Sequence, residues 1–190
     1  MGAYPAGTAA LRVRLLRMEL RRSVNGALAG GVAAAVWAAQ QPVDKRLFGS
    51  DYDDVELLGK LVTRDSGWPA AGLAVHTANG ALFGAVYAQL RPFLPGPPLA
   101  SAVLAGMAEN FGFWPLGRLI DRYHPARGEL EPMSGNRRAL AQATWRHLLF
   151  ALVLGELERR LNAPTGAEEP AAVPVSSNGH GNIQLAVRAA

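Results

Sequence analysis

The 190-residue chain contains no cysteine. That absence excludes disulfides, thiolate metal sites and cysteine nucleophiles together. Charge is also scarce: Asp, Glu, Lys and Arg make up 18% of the residues, against roughly 25% in ordinary soluble domains. Several signatures of chemistry are missing as well. There is no G-x-S-x-G nucleophile elbow, and Ser23, Ser66 and Ser101 stand in no comparable context. Neither H-E-x-x-H nor a lysine-bearing phosphate loop occurs. No nucleic-acid fold signature accompanies the net charge of +4, so nucleic acid is not the expected partner. No A-x-A-type site closes a short apolar run, which argues against a signal peptide, and no repeat of solenoid length is present.

What the chain does have is apolar length. Hydrophobic residues make up 49%, and the mean hydropathy of +0.07 is low because polar ends dilute a more apolar middle. Residues 9–22, AALRVRLLRMELRR, set Leu11, Leu15 and Met18 on one helical face, with Arg12, Arg14, Arg17, Arg21 and Arg22 over the remainder. Such a basic amphipathic helix suits a membrane surface. Four segments then approach the ~20 residues that a bilayer crossing requires. They are 23–43, 68–90, 97–118 and 138–158. The first carries no charge, the third holds Glu109, and the fourth holds Arg146 and His147 near its centre. A water-soluble helical domain would need polar faces on most helices, and the first two segments show none.

These observations predict an all-α polytopic membrane protein. It would have a basic N-terminal segment (1–22), a four-transmembrane-helix bundle (23–161) and a disordered Pro/Ala/Glu/Ser/Gly-rich tail (162–190). The arginines before the first segment place the N-terminus in the cytoplasm of a bacterial inner membrane, with the lipid bilayer as partner. Between the first two segments, Asp53 is positioned to N-cap a short amphipathic helix. Asp51, Asp53, Asp54 and Glu56 read as a solvated acidic loop, with divalent-cation binding the lesser alternative. RPFLPGPP is a tight proline turn, which predicts that the second and third helices are antiparallel neighbours. Residues 119–137 read as a polar loop.

Small residues recur every four places, giving packing ridges. Gly26 and Gly30 lie on the first helix, Gly72, Gly80 and Gly84 on the second, Gly106 on the third and Gly155 on the fourth. His76 and His147 fall on these ridges, so they face neighbouring helices. Counting depth along alternating helices brings His76, Glu109 and His147 to one level, with Asn79, Asn110, Gln142 and Arg146 within a turn. The expected cluster pairs Glu109 with Arg146 or His147. Three readings follow. The cluster titrates, in a proton-sensitive or envelope-stress protein; it only sets packing, in a scaffold or homo-oligomerising subunit; or His76 and His147 are axial ligands to haem. No catalytic residue, metal ligand or other cofactor is expected.

The segments ALAGGVAAAVWAAQQPVDKR, HTANGALFGAVY and WRHLLFALVLGELERRLN, in that order, resemble the YagU-type bacterial inner-membrane proteins. The likeness rests on His76 followed by Phe83-Gly84 and Tyr87, on the arginine-flanked His147, and on Glu156 before Arg159-Arg160. It covers about residues 24–162 and implies an inner-membrane location and an association with acid-stress tolerance. Glu109 has no evident counterpart in that family.

Overall fold

The structure, a computed structural model, describes residues 6–163, with side chains from Arg17 onward. The expected disordered tail therefore lies outside the described residues, apart from its first two. The described chain is helical: α1 (Ala6–Phe48), α2 (Asp54–Val62), α3 (Trp68–Leu90), α4 (Pro98–Phe113), α5 (Gly117–Tyr123) and α6 (Arg137–Leu161). The basic N-terminal segment is no separate element, because α1 runs unbroken through residue 22 and past Pro42. Asp53 caps α2, its carboxylate accepting from the Glu56 amide at 2.9 Å. Asn136 does the same for α6, accepting from the Ala139 amide at 3.0 Å. Each cap satisfies an amide that has no partner inside its helix.

The expected transmembrane bundle is overturned. Among the described residues, no helix is long and apolar enough to cross a membrane. The third segment stops early: Pro115 has no amide to donate and its ring crowds the preceding turn, so α4 ends at Phe113 after 16 residues. Part of the expected loop is then helix α5. α6 carries arginines at both ends, glutamates at its C-terminal end and Arg146 in its middle. α1 and α3 have the length, but alanine and glycine supply little hydropathy, and α3 also holds His76 and Asn79. The multi-pass inner-membrane location and the cytoplasmic N-terminus fall with the spans.

The helices do not close into a four-helix bundle either. α1 packs antiparallel on α3 along one side and on α6 along another, α4 packs on α6, and α2 packs on α3. α3 and α4 make no extended contact, contrary to the expectation from the proline turn. They meet beside that turn, where Tyr87 Oη donates to the Pro98 carbonyl at 2.9 Å and lies 3.3 Å from Ser101 Oγ. From there they diverge, because the small ridge of α3 is spent on other neighbours. Gly80 and Gly84 face Gly30 and Gly26 of α1, and Gly72 faces Val55 and Gly59 of α2.

This seam is a contact between backbones. A Cβ on Gly30 would sit on the Gly80 carbonyl oxygen, and one on Gly80 would come within 2.5 Å of the Ala34 Cβ. The α4–α6 contact is similar, since a Cβ on Gly155 would lie 2.7 Å from the Ala102 Cβ. Alanine fills much of the remaining core, with Ala29, Ala33, Ala34, Ala88, Ala102 and Ala151 all buried. Such a core has little side-chain volume to rearrange, so added atoms must move whole helices. Gly30→Ala is expected to cost about 1–3 kcal/mol. Gly112→Ala, where the new methyl meets open space, should be neutral or stabilise by about 0.5–1 kcal/mol. Urea-unfolding midpoints of the two variants measure the difference, and equal midpoints would refute the backbone seam.

Candidate functional site

Divergence of α3 from α4 leaves a cleft of about 380 Å³. Its base is formed by Ala34 and Trp37 of α1 and by Ala143, His147 and Phe150 of α6. α3 contributes His76, Asn79 and Phe83, and α4 contributes Gly106, Glu109, Asn110 and Phe113. Asp54 and Leu57 of α2, Tyr52 before it, the Trp114 turn, Ile120 of α5 and Met133 also line it. Apolar and aromatic walls with a few polar groups are the usual make-up of a small-molecule site, and the volume lies at the small end of the ~300–1,000 Å³ range.

His147 and Glu109 meet on this lining, with His147 Nε2 2.5 Å from Glu109 Oε2. On the other side of the ring, His147 Nδ1 lies 2.7 Å from the Ala143 carbonyl. A carbonyl only accepts, so Nδ1 carries a hydrogen and the proton at Nε2 is the one that comes and goes. Burial disfavours the imidazolium. The hydrogen bond and charge of Glu109 outweigh it, with help from Ala143 and Asp54, and raise His147 above the ordinary histidine value.

His76 has the opposite character. It is 7% exposed and its Nε2 has no partner. Burial, assisted by Arg146, lowers its pKa despite the opposing Asp54 carboxylate, so the ring is neutral. The Trp37 ring stands edge-on to both imidazoles, with centroids 5.0 Å from His76 and 4.7 Å from His147. This arrangement does not suit bis-histidine haem, since both His147 nitrogens are engaged and an indole lies against both rings.

Behind the cleft lies an ion network. Arg146 is fully buried and binds Asp44 through Nε and Nη2, both at 2.6 Å. Its Nη1 donates to Asp54 Oδ2 at 2.8 Å. Gln142 donates to Asp44 Oδ1 at 2.6 Å, and Gln40 donates to Asp44 Oδ2. Tyr52 Oη donates to Asp54 Oδ1 at 2.5 Å, and the Arg146 guanidinium lies over the Tyr52 ring, 5.6 Å from its centroid. Burial and the Asp54 carboxylate keep that phenol protonated.

The seven residues read from sequence thus fall into two groups. His76, Asn79, Glu109, Asn110 and His147 line the cleft, with Asn79 exposed at its rim. Asn110 Nδ2 donates to Thr144 Oγ1 at 3.0 Å while its buried Oδ1 has no partner. Gln142 and Arg146 belong to the network behind, and Glu109 pairs with His147, not Arg146. Asp54 joins the groups, since it lines the cleft and holds Arg146.

Sequence reasoning missed Asp44 and Trp37, and it read Asp54 as part of a solvated acidic loop. Asp44 continues the buried ridge of Ala33, Trp37 and Gln41, a signal hidden by ending the first segment at residue 43. Three carboxylates of the acidic loop are engaged by cationic side chains. Asp53 pairs with Lys45 at 2.6 Å, Asp54 with Arg146, and Glu56 with Lys60 at 2.6 Å. Among the described residues, no group of three or more His, Asp or Glu is placed to hold a metal ion.

Compared with known families, curated proteins and solved structures, the chain matches no family model, no curated protein and no structure at a significant level.

Arg146→Met should destabilise the protein by about 3–5 kcal/mol, because it strands the Asp44 carboxylate in the interior. Adding Asp44→Asn should restore part of that loss. Chemical unfolding of the single and double variants tests both, and a loss under ~1 kcal/mol for Arg146→Met would show that the network does not hold the helices.

Proposed function

We propose that the chain is a proton-responsive binding protein that holds a small, largely apolar molecule in the cleft between α3 and α4. The observation that carries this reading is the His147–Glu109 pair, a titratable ion pair set in the lining of a cavity. An imidazole that changes charge beside a binding volume changes what that volume favours. The unpartnered His76 Nε2 and Asn110 Oδ1 support it, since buried polar atoms ordinarily have partners.

The pair also makes stability depend on pH. His147 is raised on folding, so its contribution is fully present below the ordinary histidine value and is lost as pH rises through the higher folded one. Nitrogen-15 NMR of the histidine rings, with His147→Gln to assign the signal, should show His147 titrating above about 6.5 and His76 below it. Glu109→Gln should move the His147 midpoint downward. A midpoint at or below the ordinary value, or one indifferent to Glu109→Gln, rejects the reading.

A second observation favours self-association. Val24, Leu28, Val32 and Val36 follow one another every fourth residue on α1 and are 50, 59, 50 and 37% exposed. Contiguous apolar surface of this kind marks contact sites. Wild-type protein should then sediment as a dimer or larger species, and Leu28→Glu with Val32→Glu as a monomer. A monomeric wild type at every concentration removes this second reading.

A further inference from the structure

We infer that the molecule taken by the cleft is an organic cation: an ammonium group carried on an apolar body, which binds in exchange for the proton on His147. This inference rests on the binding reading above and specifies its ligand.

Charge is the first argument. Around His147 stand Glu109 of α4, Asp54 of α2 with Tyr52 just before it, and His76 of α3. Behind them lie Arg146 of α6 and Asp44 of α1. Tyr52 and His76 are neutral. The remaining three carboxylates face two cations, leaving one net negative charge with His147 protonated and two without. No lysine or arginine lines the cleft, so an anion would find only His147, which Glu109 already occupies. The nearby Asp53–Lys45 pair is closed on itself and changes neither count.

Hydrogen-bonding capacity gives the second argument. The Glu109 side chain is 36% exposed, which leaves carboxylate surface open to a ligand. Asn110 is 3% exposed, and its lone unsatisfied atom is an acceptor. Acceptors call for a donor-bearing ligand, and an ammonium brings donors and the missing charge together. The aromatic rings of Trp37, Phe83, Phe113, Trp114 and Phe150 line the same volume. Their faces favour cations, most strongly where water is excluded.

The exchange follows from the pair's geometry. Glu109 Oε2 sits 2.5 Å from His147 Nε2, so an ammonium on that carboxylate removes the partner that holds the imidazole proton. The N–H bond at Nε2 breaks, the proton leaves to water or buffer, and the ligand's charge replaces it. Affinity therefore rises with pH through the His147 midpoint, by at most about tenfold per pH unit for one exchanged proton, and then levels.

The test uses titration calorimetry of the full chain with hexylammonium and phenethylammonium, both of which carry N–H donors, against hexanoate and hexanol, at pH 5 to 9. Both cations should bind at least tenfold more tightly than hexanoate and hexanol. Repeating the titration in buffers of different ionisation enthalpy should show a proton released below the His147 midpoint. Glu109→Gln should abolish the cation preference, while His147→Gln should make the affinity flat across pH, with circular dichroism confirming that both variants fold. Equal binding of all four probes would overturn the cation class and leave the binding reading standing. Failure of every probe to bind, alongside a His147 that titrates with its Glu109 dependence intact, would overturn the inference. A His147 without that dependence removes the reading beneath it.

Discussion

A guanidinium with no solvent exposure requires countercharge, and the cost of leaving it unpaired in the interior is several kcal/mol. Arg146 meets that requirement by drawing carboxylates from two other elements, Asp44 at the far end of α1 and Asp54 at the start of α2. The position of the α2 N-terminus is thereby tied to α6, nearly a hundred residues away in sequence. Gln142, Gln40 and Tyr52 satisfy further lone pairs of the two carboxylates, which separates a tolerated buried ion network from a destabilising one. The network also overshoots. Two carboxylates on one arginine leave negative charge beside His147, and that excess adds to the effect of Glu109 in favouring the imidazolium. Structural charge balance and the chemistry of the cleft are therefore one electrostatic problem.

The cleft has an equally plain origin. Close backbone approach is possible only where both partners offer small residues, and α3 offers one such ridge. α1 takes most of it and α2 takes its first turn, so nothing comparable remains for α4. α4 instead places Gly106 and Ala102 against α6. Tyr87 pins α3 and α4 together at the proline turn, and beyond that point no small-on-small contact draws them in. The volume that opens is walled by the larger side chains that the seams cannot accommodate, the aromatic rings above all.

Much of the helical order was legible because it is local. α3 covers the residues read as the second apolar segment, and the Asp53 cap lies where side chain and spacing required one. The membrane assignment failed at a specific step. The segments point to lipid by their uncharged length, much of it alanine and glycine, and such small residues specify close packing whatever the surroundings. Measured as hydropathy, the same residues contribute little, and no described helix reaches what a crossing needs. The absence of polar helix faces misled in the same direction, since Val24, Leu28 and Val32 are in fact exposed. In the site, depth counting brought His147 and Glu109 to one level because α4 and α6 do run antiparallel. It could not assign Arg146, whose partners lie outside the segments being counted. Long-range ion pairs leave no periodic trace.

His76 and His147 show why residue type alone could not settle the chemistry. Both are ridge histidines that line the same volume and stand against the same indole. His76 has burial and no carboxylate within hydrogen-bonding reach, so its uncharged form is favoured. His147 is largely but not fully buried, and Glu109 reaches its Nε2 while Ala143 fixes the hydrogen on its Nδ1. The difference between them is a single carboxylate delivered by α4, the helix that the α3 ridge left unclaimed. The packing choice that opens the cleft is thus also the one that sets a titratable pair in its lining.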